Sequence, residues 1–160
     1  MDNDRIYRQG TYIISTDRAE LDFTFLHDFL SVRSYWARGI PRETMERSIA
    51  GSICFGLYST ERQIGFARVV TDEATFGYLA DVFIDEAFRG QGLGRWLIGV
   101  IMAYPSLQGL RNWMLATRDA HKLYAQFGFT ALSEPERIMR KHDPELYGAQ
   151  NQDGRQSGTQ

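Results

Sequence analysis

The sequence predicts an α+β (mixed α/β) protein, and three observations carry that prediction. Residues 52–58 and 63–70 are rich in β-branched and aromatic side chains and flank the polar Thr60-Glu61-Arg62, which is the pattern of an antiparallel hairpin. Asp72-Glu73-Ala74 turns the chain into a third apolar run, Phe76 to Ile84. That run passes through glycines into Leu93, Trp96, Leu97, Val100, Ile101 and Tyr104, spaced as one face of a helix. Three meandering strands followed by strand, loop and helix do not form a series of parallel βαβ units.

The remaining elements follow in order. Thr11 to Ile14 reads as a short strand. Asp17 and Glu20, three apart, resemble a capping box before a helix lined by Phe25, Leu26, Phe29 and Leu30. Tyr35, Trp36 and Gly39 interrupt it, and Pro41 suits the first turn of a second helix carrying Met45 and Ile49. After a loop from Pro105 to Gly109, Trp113 to Thr117 is a strand. Asp119 is placed to cap a helix through Ala120, Leu123, Tyr124 and Phe127 that Gly128 ends. Phe129–Leu132 and Arg137–Lys141 are two further strand candidates. Residues 1–147 are expected to form a single domain. Residues 148–160, rich in Gly, Gln, Asn, Ser and Asp, are expected to be a disordered tail.

Composition narrows the function classes. A chain of 160 residues can bury a sizeable core. A net charge of −2 provides no basic field for nucleic acid or an anionic membrane. No run approaches the roughly 20 apolar residues of a membrane span. The one cysteine, Cys54, forms no internal disulfide and suits a reducing cytoplasm. His27, His121 and His142 lack metal-ligand spacing, so no metal is expected.

The most informative stretch joins Tyr78–Ile84 to the helix at Leu93. A strand that enters a helix through glycines aims free N–H groups and the positive end of a helix dipole at one spot, which is an anion site. An ATPase phosphate loop would need a lysine and a hydroxyl after the last glycine, and neither follows Gly94. A dinucleotide Gly-x-Gly-x-x-Gly fails from Gly90, where Arg95 takes the third place, and from Gly92, where Leu97 does. The run Arg89-Gly90-Gln91-Gly92-Leu93-Gly94 does fit Arg/Gln-x-x-Gly-x-Gly/Ala.

That loop resembles the pyrophosphate loop of the GCN5-related N-acetyltransferase (GNAT) family. Leu123-Tyr-Ala-Gln-Phe-Gly-Phe129 resembles the family's second motif, and the order of elements from Thr11 to Lys141 is similar to the family's. The resemblance implies the acyl-CoA N-acyltransferase fold, a mostly antiparallel twisted sheet flanked by helices, with its central strands splayed. It implies acetyl-coenzyme A as donor, with the acyl group acetyl or larger. The acceptor would be a primary amine of a small molecule or peptide, attacking directly in a ternary complex. Homodimers are common in the family.

Site residues follow from the same resemblance. Backbone groups of Gly90, Gln91, Gly92, Leu93, Gly94 and Arg95 would bind the pyrophosphate, with charge from Arg89 or Arg95. Val82, Phe83 and Ile84 would bond the pantetheine arm like an added strand. Thr117 stands where many members have a cofactor-binding asparagine. The acceptor must lose a proton, because an amine of pKa ~10.4 is neutral in about one molecule per thousand at pH 7. Asp81, a carboxylate inside an apolar strand, is the candidate base, directly or through water, and alternatively a structural carboxylate. Asp85, at the strand end, is expected to be solvated. Tyr124 would face the thioester sulfur, giving the leaving thiolate a proton or a strong hydrogen bond. Acceptor selectivity is expected from Phe25, Phe29, Tyr35, Trp36, Phe55 and Tyr58, which also suit a core. An acyl-coenzyme A sensor without turnover is the rival expectation, and it would need neither Tyr124 nor Asp81.

Overall fold

A computed structural model describes residues 5–148, so the tail expected beyond Gly148 lies outside the described residues. Among the described residues the chain divides into two compact units, one of residues 5–22 and 49–129, the other of residues 23–48 and 130–148.

The first unit holds one six-stranded sheet in chain order. Its strands are β1 (Ile6–Gln9), β2 (Tyr12–Ser15), β3 (Ile53–Tyr58), β4 (Gln63–Thr71), β5 (Phe76–Ile84) and β6 (Asn112–Leu115). Neighbours from β1 to β5 are antiparallel, and β6 joins β5 in parallel. The parallel pair requires a crossover, supplied by α3 (Leu93–Met102). Leu93, Leu97, Ile98, Val100 and Ile101 of α3 are buried together with Ile14, Phe55, Leu57, Ala67, Val69 and Leu79 of the sheet. Phe55 and Tyr104 meet edge to face at 5.2 Å. The short α4 (His121–Ala125) follows β6.

The second unit contains α1 (Phe23–Asp28), which runs into a π-helical turn, Phe29–Arg33. Ser34 closes that turn, its hydroxyl donating to Leu30 O at 2.6 Å and its N–H to Phe29 O at 2.8 Å. The guanidinium of Arg33 lies 4.6 Å above the Phe29 ring. Pro41 directly precedes α2 (Arg42–Ala50), and its carbonyl accepts from Met45 N–H at 3.1 Å.

The meander, the crossover helix and the flanking helices are as expected, and four details differ. An additional strand, β1, pairs with β2 around Gly10. Asp17 caps only a 3-10 turn, accepting from Ala19 N–H at 2.8 Å. Residues 129–132 and 138–141 are not strands, and Pro135–Arg137 is a 3-10 turn. Their apolar residues Leu132, Ile138 and Met139 are exposed, and a strand needs a partner that propensity alone cannot supply. The α4 turn starts from Thr117, whose hydroxyl accepts from Ala120 N–H at 3.0 Å, and not from Asp119.

The turn from β4 to β5 positions the strand that matters most. Asp72 accepts from the N–H groups of Ala74, Thr75 and Phe76 and from the Thr75 hydroxyl, at 2.6–3.1 Å. These donors, the Thr75 hydroxyl foremost, hold its carboxyl well below the ordinary value of 3.8. The carboxylate's contribution to stability is therefore complete above pH 3.8 and fades as pH falls toward the folded-state value. Asp72→Ala should melt at a lower temperature than the wild type at pH 7, and the gap should narrow below pH 3.8; a gap independent of pH would remove Asp72 from this role.

Candidate active site

Strand β5 is paired differently on its two edges. Toward β6 the ladder runs only from Phe76↔Asn112 to Leu79↔Leu115. Beyond Leu79, no strand among the described residues covers that edge, because the ladder with the edge strand β6 ends there. Toward β4 the pairing continues to Gly65↔Ile84, with a register shift between Arg68↔Ala80 and Phe66↔Phe83. That shift places two residues of β5, Asp81 and Val82, opposite the single Ala67, which is a β-bulge. Asp81 takes a left-handed backbone conformation, φ 54°. Aspartate tolerates this region better than most residues, at a cost of order 1–3 kcal/mol.

Its side chain is held. Arg68 Nε donates to Asp81 Oδ2 at 2.6 Å, and the two side chains are 17% and 10% exposed. Arg68 Nη1 also donates to Ser52 Oγ at 3.1 Å, and Arg18 Nη2 donates to Ser52 O at 2.8 Å. Cys54, directly across from Arg68, donates its S–H to Ile49 O at 3.5 Å. Burial pushes the Cys54 thiol up to about 11, so it stays protonated and unreactive near neutral pH.

The loop after β5 is built from backbone and braced from outside. Gly90 and Gly92 have φ of 79° and 78°, and a Cβ on either would meet nothing within 4 Å. Left-handed backbone requires glycine at both positions, and the space above them is open. The first N–H to close a helical turn is that of Trp96, which donates to Gly92 O at 3.0 Å. The N–H groups of Leu93, Gly94 and Arg95 precede that bond, as the opening donors of any helix do. Gly94 has ordinary backbone, and its Cβ would stand 3.9 Å from Ile84 and Leu123. Tyr12 Oη donates to Gln91 Oε1 at 2.8 Å, and its ring meets Phe88 edge to face at 6.4 Å. Arg62 lies 5.3 Å above Phe88 and pairs with Asp85 at 3.0 Å. Asp85 is thus buried, 8% exposed, and not solvated as expected. It also caps the turn at Glu86–Phe88, accepting from Ala87 N–H at 3.1 Å. Arg89 folds back so that Nε donates to Ile84 O at 3.1 Å, while Arg95 is exposed.

Tyr124 is buried, 8% exposed, and its ring meets Phe129 at 6.0 Å. It belongs to the same core as α3 and β5, together with Leu123 and Phe127. Thr117 uses its oxygen to start α4, which leaves its hydroxyl proton to donate elsewhere. Among the described residues, no three His, Cys, Asp or Glu side chains converge to hold a metal ion. No helix of the described residues is long and apolar enough to cross a membrane.

Residues 50–131, which include β5, the loop and Tyr124, match the model of the acetyltransferase (GNAT) domain. A curated candidate acetyltransferase of Gibberella zeae (strain PH-1) is 34% identical over 142 residues, covering 75% of this chain and 79% of its own. The chain belongs to the GNAT acetyltransferase family. It is an acyltransferase of that family. A solved structure of a candidate GNAT acetyltransferase from Xanthomonas campestris pv. campestris is 44% identical, with a TM-score of 0.84 over 88% of this chain and 99% of that one. A probable acetyltransferase from meticillin-resistant Staphylococcus aureus shares the fold at 23% identity, with a TM-score of 0.67 over 82% of this chain and 98% of that one.

Within this GNAT enzyme the structure brings Val82–Ile84, the Gly90–Gly94 loop and Tyr124 into one unit. Sequence reasoning missed Arg68, Arg62 and Tyr12. A lone arginine in the apolar run Phe66–Val70 was a signal, because the next strand carries a lone carboxylate. The loop glycines differ in what they tolerate. Gly92→Ala should lower the unfolding free energy by about 1–2 kcal/mol through left-handed strain, whereas Gly94→Ala should leave it unchanged or raise it. Urea midpoints measure both, and equal losses would show that strain does not set the loop's glycines.

Proposed function

We propose that this enzyme transfers acetyl from acetyl-coenzyme A to a primary amine of a small molecule or peptide, by direct attack in a ternary complex. One observation carries the proposal. An open loop with two left-handed glycines at the head of α3 continues a strand whose β6-facing edge loses its partner at Leu79. Such a site suits a long ligand that is anionic at one end and amide-bearing along its length. In this proposal the N–H groups of Gly90 to Arg95 bind the pyrophosphate, joined by the charge of Arg89 and Arg95. The open edge at Val82, Phe83 and Ile84 takes the pantetheine amides as an added strand. Thr117 donates its hydroxyl proton to the same arm. No metal enters.

The chemistry then proceeds as follows. The amine gives up its proton along a path of water that ends at the Asp81 carboxylate. Its nitrogen lone pair attacks the thioester carbonyl carbon, a C–N bond forms, and the C–S bond breaks as the tetrahedral intermediate collapses. The sulfur leaves as thiolate with the electron pair of that bond, held by a hydrogen bond from the Tyr124 hydroxyl, and the surplus proton on the new amide nitrogen passes through water to the thiolate, giving the neutral amide and coenzyme A thiol. The single, buried thiol of Cys54 fits a reducing cytoplasm as the enzyme's setting.

Free coenzyme A thiol, released from acetyl-coenzyme A against a panel of amines, is the measurement. Release should depend on the amine, and Tyr124→Phe should lower kcat about 10- to 100-fold while changing the KM for acetyl-coenzyme A much less. Binding of coenzyme A without amine-dependent release across the panel would contradict transfer, and an unchanged kcat would take Tyr124 out of the thiolate step. Asp81→Asn should reduce kcat/KM for the amine at least about tenfold while coenzyme A affinity stays within about threefold. Wild-type amine kinetics in that variant would remove the carboxylate from the proton path.

A further inference from the structure

Strand β4 carries one cation among apolar residues, Arg68 between the fully buried Ala67 and Val69. Strand β5 carries one carboxylate, Asp81. The ladder does not set the two opposite each other, because Arg68 stands across from Ala80 and Asp81 opens the bulge. They meet all the same, at 2.6 Å. The guanidinium is tied at a second point by Ser52, itself tied to Arg18. A rigid planar fork with two fixed acceptors cannot follow a carboxylate that moves.

The backbone it holds has an alternative. An L residue relaxes from φ 54° toward ordinary strand values unless its surroundings prevent it. Relaxing here would erase the extra residue of the bulge, and a one-residue slip turns every following side chain to the other face. The residues that follow are Val82, Phe83 and Ile84, along the edge that β6 leaves open. We propose that Arg68 is a positioning residue: by gripping Asp81 it keeps the bulge left-handed and so sets where Val82, Phe83 and Ile84 present their backbone. The inference rests on the reading that this edge takes the pantetheine arm of coenzyme A.

Coenzyme A, titrated by calorimetry, is the probe. Amide hydrogen exchange across residues 80–84 is followed in parallel on protein without it. Arg68→Met should bind coenzyme A about tenfold more weakly and exchange faster after Asp81. Arg68→Met combined with Asp81→Gly should recover most of both losses, since glycine takes a positive φ unaided. Asp81→Asn should stay within about threefold of the wild type, because asparagine still accepts from Arg68 and tolerates the same φ, whereas Asp81→Ala should resemble Arg68→Met. Unchanged exchange in Arg68→Met, or a double variant no better than the single one, would overturn the inference. If Arg68→Met does not fold, the Asn and Ala variants decide: loss in Ala alone supports the grip, and equal loss in both overturns it. A wild-type protein that ignores coenzyme A would instead sink the proposed function, and the exchange pattern would still decide the role of Arg68.

Discussion

Strand β5 has to remain in a sheet and leave it at once. Its β4 edge is paired to the end, while its β6 edge is released after Leu79. A flat strand cannot expose one edge within a buried layer without leaving polar backbone groups stranded, a cost borne by most buried sheets through continuous pairing. The bulge at Asp81 and Val82 is where this conflict is settled. A bulge adds local twist, and past this one β5 stays bonded to β4 while its ladder with β6 has already ended. The opening, the direction of the following loop and the start of α3 all lie downstream of that one irregularity.

In the proposed function the loop recognises with backbone, and backbone recognition requires stiffness. N–H groups pointing at an anion need no side-chain ordering, but the loop must not collapse onto its own donors. Glycine gives Gly90 and Gly92 the required geometry and no rigidity. Stiffness comes from a chain of contacts outside the loop: Arg62 on Asp85 and Phe88, and Tyr12 on Phe88 and Gln91. Each contact is modest, and together they connect β2 and the β3–β4 turn to the turn between β5 and α3.

The backbone pattern was legible in the sequence because its signals are local. The β-branched and aromatic runs of the meander, the helical spacing after Leu93 and the glycine pattern are each read within a short stretch of chain. Pairing across strands was not legible. Asp81 stood out as a charge in an apolar run, but Arg68 passed unremarked, and their contact depends on a register broken by the bulge. Asp85 looked solvated because a strand end usually is, and its partner Arg62 lies over twenty residues earlier in the chain. Strand β1 was missed because Ile6-Tyr7-Arg8-Gln9 is a mostly exposed edge whose one packed side chain, Tyr7, sets no repeating pattern in the sequence. The opposite error at 129–141 has the same root, since apolar residues there reflect propensity without a partner strand.

Strand β3 divides its side chains between the sheet's two faces. Phe55 and Leu57 enter the core beneath α3, while Cys54, Gly56 and Tyr58 alternate to the other face, beside Arg68. There Gly56 has no side chain because the Tyr58 ring folds back over it, in the space a Cβ would need. The Tyr58 hydroxyl is buried and, among the described residues, has no hydrogen-bond partner. Burial, followed by the negative charge of Glu20 and Asp17, drives its pKa well upward, so it stays a neutral donor. A buried donor left unsatisfied is costly in a face built only for packing. That cost stands beside the protonated Cys54 thiol and the Arg68–Asp81 pair, while Phe55 and Leu57 close the core beneath α3 on the opposite face.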